Sequence, residues 1–250
     1  MGAREGPIAV DFIARALAWA ADPAHWVGSD GIAARLGEHL VLSAVPLVAA
    51  VLVALPVGLY IGHTGRGAAI AVNISNIGRA LPSLGILGIA LILVPSGPLP
   101  FGVLATMFAL FALALPPIVL NTYTGLREVE RDLLEAGRGM GMREPQLLTR
   151  VEVPLALPII LAGLRTSAVQ VVATATLGAV FGTGGLGRLI VDGIKQQDDA
   201  QLFVGAVIVA LLSIGTELAF AALQRASMSP GLRSARTPRG ASQAELRPSA

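Results

Sequence analysis

Residues 40–61 read LVLSAVPLVAAVLVALPVGLYI, 22 residues without a charged side chain. A helix needs roughly 20 mostly apolar residues to cross a hydrocarbon core of about 30 Å. The rest of the chain has the same character, because 54% of the 250 residues are hydrophobic and 14% are charged, against about 25% charged residues in soluble domains. The stretch therefore predicts a membrane-spanning helix in an all-α integral membrane protein.

Four further apolar stretches predict additional spans. They are residues 73–94, 101–122, 159–181 and 202–223. The first is the weakest, because Arg79 lies in its first turns and Pro82 removes a helical hydrogen bond. We therefore expect five transmembrane helices within residues 40–223.

Arg165 and Glu217 are ionisable residues inside two of the predicted spans. A charge exposed to lipid costs at least a few kcal/mol, so each is expected to have a partner. In antiparallel spans with a rise of about 1.5 Å per residue, the two side chains lie at similar depths. We therefore predict an intramembrane ion pair between them, with Arg79 as the rival partner and contact of Glu217 with solvent near Arg225 as the alternative.

Residues 1–39 and 224–250 flank the predicted spans. Residues 7–21 place apolar side chains on one helical face and Asp11 and Arg15 on another, which indicates an amphipathic helix lying in the membrane interface. Residues 224–250 are rich in Arg, Ser and Pro and lack apolar periodicity, which indicates a disordered tail.

Arginine is distributed unevenly between the two sides of the predicted spans. One side receives 13 arginines, including those of a loop at residues 123–157, and the other receives four arginines and Lys195. Cytoplasmic segments are enriched in Lys and Arg. We therefore expect the N-terminus outside, and the loop and the C-terminus in the cytoplasm.

The loop at 123–157 is organised as a helix, a glycine-rich turn and a second helix. Residues 128–138 are mostly good helix formers, whereas glycines at 137, 139 and 141 weaken the helix by about 1 kcal/mol each relative to alanine. Pro145 then suits the first turn of a new helix. Taken alone, this pattern also fits a charged surface helix between two spans.

The loop resembles the EAA loop of bacterial ABC importer permeases, in which EAA is followed by three residues, Gly, nine residues, Ile, one residue and Leu-Pro. The same spacing holds here at Glu135, Ala136, Gly137, Gly141, Val151, Val153 and Pro154. Gly137 and the two valines are the departures from the pattern. Residues 75–89, SNIGRALPSLGILGI, and 165–194, RTSAVQVVATATLGAVFGTGGLGRLIVDGI, resemble the osmoprotectant branch of this family.

The resemblance implies a type I ABC importer permease fold of five transmembrane helices in the cell membrane. It implies that Glu135, Ala136, Gly137, Gly141 and Pro154 couple the chain to a separate ATP-binding subunit, through a short helix that docks into a cleft. A second permease, identical or paralogous, and an extracytoplasmic solute-binding protein are also implied. The expected solutes are glycine betaine, choline or carnitine, with methionine or another small solute as the alternative.

Four glycines, Gly182, Gly184, Gly185 and Gly187, follow the fourth predicted span. Glycine reaches backbone conformations that other residues avoid, so such a cluster allows a compact turn. We expect this turn at the outer mouth of the protein, where it forms a gate or a docking surface. A plain reversal between two helices is the alternative.

The sequence lacks the motifs of an enzyme. Its only lysine, Lys195, is followed by Gln196, so no phosphate-binding loop ending in Gly-Lys-Ser/Thr is present. ATP is therefore expected to be used by the partner subunit, with no cofactor bound by this chain. Cysteine is absent and the three histidines lie far apart in sequence, so no metal site is expected.

Nucleic acid is not an expected partner, because the net charge is only +2. No residue is singled out for contact with the solute. An ion-coupled secondary carrier is a competing interpretation, but such carriers usually have mid-membrane acidic residues and inverted repeats. Glu217 is the only acidic residue in a predicted span. A membrane anchor without transport is a further alternative, and co-purification of a nucleotide-binding subunit would separate it from an ABC permease.

Overall fold

The computed structural model describes residues 5–95 and 97–227, and all regular secondary structure in that part of the chain is helical. The α-helices are α1 (Glu5–Ala21), α2 (Ile32–Thr64), α3 (Ala68–Ala80), α4 (Ser83–Leu93), α5 (Val103–Arg127), α6 (Arg131–Gly139), α7 (Glu144–Leu147), α8 (Val153–Gly178), α9 (Gly187–Gln196) and α10 (Asp199–Ser227). A π-helical turn at Leu148–Glu152 joins α7 to α8. The all-α fold expected from the sequence is confirmed.

Four helical stretches among the described residues are long and apolar enough to cross a membrane. They are Ile32–Thr64, Val103–Arg127, Glu144–Phe181 and Asp199–Ser227. α3 and α4 are each too short to cross a membrane, so they make a fifth candidate only as a pair. The two helices of this pair are bent by 99° relative to each other. Leu81 and Pro82 between them are extended, with ψ of 134° and 126°, since proline disfavours a helical conformation in the residue before it. The second span expected over residues 73–94 is thus a broken pair of helices and not one continuous helix.

The core of the bundle lies where α2, α5 and α8 pack together. Its buried residues are Ala50, Ala54, Leu110, Ala114, Ile118, Val171 and Ala175. On α2 the small residues continue at four-residue spacing with Gly58 and Gly62. A Cβ on Gly58 would lie 2.7 Å from Cβ of Thr122, and one on Gly62 would lie 2.8 Å from Cβ of Leu126. Small residues at this spacing let two membrane helices approach closely.

The helix α1 corresponds to the amphipathic segment expected at residues 7–21. It packs against α10, where the rings of Phe12 and Phe203 meet edge to face at 5.2 Å. Its placement in a membrane interface remains a prediction.

The first and last of the expected spans extend beyond the boundaries expected from the sequence. α2 begins at Ile32, before residue 40, and α10 continues through Ser227. Within that extension, Nε2 of Gln224 donates to the carbonyl oxygen of Pro158 at 2.8 Å. The first residues of the expected tail are therefore helical, and residues 228–250 lie outside the described part of the chain.

The loop at residues 123–157 and the four-glycine turn lie at opposite ends of the bundle. We call the end that carries residues 128–152 the loop end and the end that carries residues 179–187 the turn end. α2 runs from Ile32 at the turn end to Thr64 at the loop end, so one helix reaches both.

Candidate functional site

The short helix α6 at the loop end has one buried position, Gly137. A Cβ on Gly137 would lie 2.5 Å from Cδ2 of Leu147, which is fully buried. The missing side chain therefore lets α7 close against α6. An alanine, which the EAA pattern has here, would force the Leu147 side chain to move.

Gly141 ends α6 for a conformational reason. Its φ is +84°, and no atom lies within 4 Å of the position that a Cβ would take. The N–H of Met142 donates to the carbonyl of Gly137 at 3.1 Å, which satisfies one of the last carbonyls of the helix. Only glycine adopts this left-handed conformation without strain, so the backbone itself requires glycine at this position.

Three other residues matched to the EAA loop lie on the surface, whereas Val151 and Val153 are half-buried. Glu135, Ala136 and Pro154 are exposed. The same region exposes two apolar side chains, Leu133 by 45% and Met140 by 78%. An exposed group of small and apolar side chains beside a charge suits a protein partner.

Charged residues join the loop to the end of α2. Nε and Nη2 of Arg138 donate to the two carboxylate oxygens of Glu144 at 2.9 and 3.2 Å, and these hydrogen bonds raise the pKa of Arg138. Oε2 of Glu144 also lies 3.4 Å from Nε2 of His63. Nδ1 of His63 lies 2.6 Å from Oε2 of Glu152, which is 3% exposed. Sequence reasoning missed His63 and Glu152, because 89 positions separate them and no motif connects them.

The four glycines at the turn end serve different purposes. Gly182 and Gly185 have φ of +85° and +84°, so the backbone requires glycine at both. Gly187 lies in α9 with no positive φ, yet a Cβ there would collide with the backbone of Thr176. These glycines let the chain turn tightly here, and the expected turn at the outer mouth, with its role as a gate or docking surface, remains a prediction.

Glu38 of α2 holds this turn. Its Oε2 accepts hydrogen bonds from the N–H of Gly185 at 2.7 Å and from Nη1 of Arg35 at 2.9 Å. A Cβ on Gly184 would collide with the same carboxylate. This contact joins residues 147 positions apart, and sequence reasoning did not identify it.

A cavity of about 660 Å³ opens beside the turn. Its wall combines charged side chains, Arg35 and Arg188, with apolar ones, Val41 and Met107. Below it, His39 is fully buried, and its Nε2 lies 2.9 Å from the carbonyl oxygen of Val172.

The structure brings Arg165 of α8 and Glu217 of α10 together. Nε of Arg165 lies 3.4 Å from Oε1 of Glu217, and their side chains are 32% and 45% exposed. The side chain of Arg79, the rival partner, lies outside the described part of the chain. Partial exposure leaves this pair open to lipid or to another subunit.

The family described as "binding-protein-dependent transport system inner membrane component" matches residues 54–228 of the chain. The chain belongs to this family. The match contains the loop, the turn and both ends of the ion pair between α8 and α10. The resemblance to an ABC importer permease is confirmed, and so is the location in the inner membrane.

Several proteins similar to the permease are named for the solutes that they transport. It is 37% identical to the glycine betaine/carnitine/choline transport system permease protein OpuCB of Bacillus subtilis (strain 168), over 79% of this chain and 89% of that protein. It is 38% identical to the choline transport system permease protein OpuBB of the same organism, over 75% of this chain and 84% of that protein. It is 35% identical to the carnitine transport permease protein OpuCB of Listeria monocytogenes, over 80% of this chain and 89% of that protein.

The permease also shares its fold with a chain of the MetNI methionine ABC transporter in an inward-facing conformation. The TM-score is 0.68 at 24% identity, over 84% of this chain and 100% of that chain. At this identity the likeness establishes the fold alone. The family gives the permease a role in transport.

Proposed function

We propose that the permease forms the transmembrane path of an ATP-driven importer for osmoprotectants such as glycine betaine, choline or carnitine. The identity of 35–38% with relatives named for these solutes, over 75–80% of the chain, carries the proposal. The three solutes share a quaternary ammonium group, so one path can serve all of them.

The loop end faces the cytoplasm in this proposal and binds a separate ATP-hydrolysing subunit. The exposed Glu135 and Ala136 supply the docking surface. The left-handed Gly141 and the buried Gly137 set the angle between α6 and the helix that follows. The arginine distribution supports this orientation, and the absence of a phosphate-binding loop from the sequence supports a separate ATPase.

A second permease, identical or paralogous, completes the path in this proposal, because five helices are too few to enclose a solute comfortably. α10 exposes a row of apolar residues, Leu211, Ile214 and Leu218, which lipid or the second permease would cover. An extracytoplasmic solute-binding protein delivers the solute to the turn end. The family description, which names binding-protein-dependent transport, supports this partner.

Methionine is the second candidate solute. The fold likeness to MetNI favours it, but that likeness is at 24% identity. The higher identity with osmoprotectant permeases therefore weighs against methionine.

Transport by the reconstituted complex tests the proposal. The permease, its ATPase and its solute-binding protein are placed in proteoliposomes with labelled glycine betaine, choline, carnitine or methionine. We expect ATP-dependent uptake of at least one quaternary ammonium solute and none of methionine. Uptake of methionine alone would replace the proposed solute class, and uptake without ATP would contradict an ABC importer.

Orientation is tested separately, because the chain contains no cysteine. Single variants Ala136→Cys at the loop end and Ser29→Cys, an exposed position just before the turn end of α2, are labelled in intact cells with a thiol reagent that does not cross membranes. We expect labelling at 29 only. Labelling at 136 alone would reverse the proposed orientation.

A further inference from the structure

The first membrane helix, α2, ends at the loop end on a histidine that lies between two carboxylates of the loop. His63 approaches Glu152 through Nδ1 at 2.6 Å and Glu144 through Nε2 at 3.4 Å. Glu144 in turn receives two hydrogen bonds from Arg138 of α6. Four side chains thus connect α6, the start of α7, the π-helical turn and the end of α2.

Glu152 gives this connection its strength. It lies at the end of the π-helical turn Leu148–Glu152, directly before α8, and is 3% exposed. A buried carboxylate is costly unless a donor or a charge compensates it. His63 supplies that donor from another helix, so the start of α8 and the end of α2 are held to each other.

The end of α2 is itself firmly placed. Gly62, next to His63, packs so closely on Leu126 of α5 that a Cβ would lie 2.8 Å from the Cβ of that leucine. The ring of His63 therefore extends from a helix end that cannot shift without moving α5. A π-helical turn inside a helix is itself frequent at functional sites.

We propose that His63 is a positioning residue for coupling: it joins the loop to α2, so that a displacement of α6 by the ATPase moves the first membrane helix together with α8. This inference rests on the proposed coupling role of the loop. None of the residues matched to the EAA pattern makes this contact, and Glu152 occupies the unspecified position between Val151 and Val153.

Because α2 extends from the loop end to the turn end, the contact between His63 and Glu152 also affects the turn. Glu38, near the other end of the same helix, accepts the hydrogen bond from Gly185 in the turn. His63 lies 25 positions after Glu38 on this helix, or about 38 Å at 1.5 Å per residue. A movement passed to α2 at the loop end therefore has a direct route to the turn end.

The test measures the number of solute molecules imported per ATP hydrolysed by the complete complex in proteoliposomes. We expect His63→Ala to lower this ratio roughly tenfold, which corresponds to the loss of a charge-assisted hydrogen bond. Thr64→Ala is the matched control, because the Thr64 hydroxyl donates to the carbonyl of Tyr60 and accepts from the N–H of Arg66, both close to it in sequence and outside the loop, and it should leave the ratio unchanged. An unchanged ratio in His63→Ala would overturn the proposal.

Two conservative variants separate positioning from general stability. The amide nitrogen of His63→Asn lies about where Nδ1 lies and can still donate to Glu152, whereas that of His63→Gln lies about where Nε2 lies and favours Glu144. We expect Asn to recover most of the ratio and Gln little of it, because the buried carboxylate is the important partner. Equal ratios for Asn, Gln and Ala would exclude the contact with Glu152 as the cause.

If His63→Ala fails to fold, crosslinking between positions 63 and 152 provides a second test of the proposal. The cysteine-free chain accepts the pair His63→Cys and Glu152→Cys, which a short bifunctional thiol reagent can join. We expect a low ratio before crosslinking and recovery after it, because the two ends then move together again. Loss of the remaining transport on crosslinking would contradict the proposal.

The unaltered complex distinguishes the two proposals. If it imports none of the four solutes, the proposed function fails and the inference about His63 falls with it. If it imports a solute and the His63 variants keep the full ratio, only the inference about His63 fails.

Discussion

Glycine serves two physical purposes in this protein, and each end of the bundle contains both: Gly141, Gly182 and Gly185 have a positive φ, whereas a Cβ on Gly137 or Gly187 would collide with a neighbour. Gly141 of the loop end and Gly187 of the turn end show the two purposes separately. At the loop end, Gly141 has a left-handed backbone and open space around it. At the turn end, Gly187 has an ordinary φ and no room at all, because the backbone of Thr176 occupies the position of a Cβ. Glycine is needed for its conformation in the first case and for its size in the second.

The two ends also differ in what they expose. Glu135 and Ala136 of the loop lie on the surface, whereas Gly185 and Gly187 of the turn are buried. An exposed motif is typical of a surface that awaits a partner, and a buried one of internal packing. We therefore expect substitutions of the buried turn glycines to act first on stability and, on the proposed coupling role of the loop, substitutions of its exposed residues to act first on coupling.

The largest effect is expected at Gly187. Its replacement by alanine forces the backbone of Thr176 to move, and overpacking of this kind costs about 1–3 kcal/mol. We expect Gly187→Ala to lower the melting temperature of the purified permease and its folded yield. Gly215→Ala in α10 is the control, because no atom lies within 4 Å of the new Cβ, and it should leave stability equal or higher. Equal stability of both variants would show that the turn is loosely packed.

Gly141→Val is expected to have the next largest effect. A residue other than glycine in the left-handed region costs about 1–2 kcal/mol, so the end of α6 should take another path. We expect transport to fall strongly while insertion is retained, as measured by uptake in proteoliposomes and by yield in membranes.

Gly139→Val is the matched control for that variant. Gly139 has no positive φ and open space around it, so valine there fits the helix. If Gly139→Val abolishes transport equally, bulk at the docking surface and not backbone conformation is the reason for the glycines.

Glu38→Ala probes the contact between α2 and the turn. The variant removes the acceptor for Gly185 and Arg35, and because the side chain is 43% exposed we expect a loss of only about 1 kcal/mol. Asp30→Ala is the control, since Asp30 also pairs with Arg35 but is 84% exposed. Thermal unfolding and solute uptake are measured for both. A fall in uptake with little loss of stability would favour a gate, and the reverse would favour a plain reversal of the chain.

The smallest effect is expected at the pair of Arg165 and Glu217. Both side chains are partly exposed and 3.4 Å apart, so the coupling free energy should be about 0.5 kcal/mol. Arg165→Glu and Glu217→Arg should each lower folded yield, and the double variant should recover part of the loss. Strictly additive losses would exclude the pair, and rescue by Arg79→Glu would move the assignment to α3.

Most of the helical plan was predictable from the sequence. Long apolar stretches identify α2, α5, α8 and α10 because crossing a membrane requires length and apolarity, which are properties of a local segment. The shape of the second span was less predictable. Pro82 indicates an interruption, but the bend of 99° between its halves depends on how each half packs on the rest of the bundle.

The residues of the candidate site were likewise only partly predictable from the sequence. The spacing from Glu135 to Pro154 is a local pattern, and so it was visible in the sequence. The ion pair of Arg165 and Glu217 was also accessible, because depth in a membrane follows from position along a helix. His63 and Glu38 gave no such signal, since neither belongs to a motif that would connect it with its distant partner.

By itself the sequence determined that the protein is helical, that it is embedded in a membrane and which segment resembles a coupling loop. Only the tertiary structure decided that α2 contacts the loop through His63 and the turn through Glu38. The physical reason is that hydrophobic length and motif spacing act within one segment, whereas these contacts join residues 89 and 147 positions apart. They also depend on the close packing of α2 against α5, which the small residues of α2 allow.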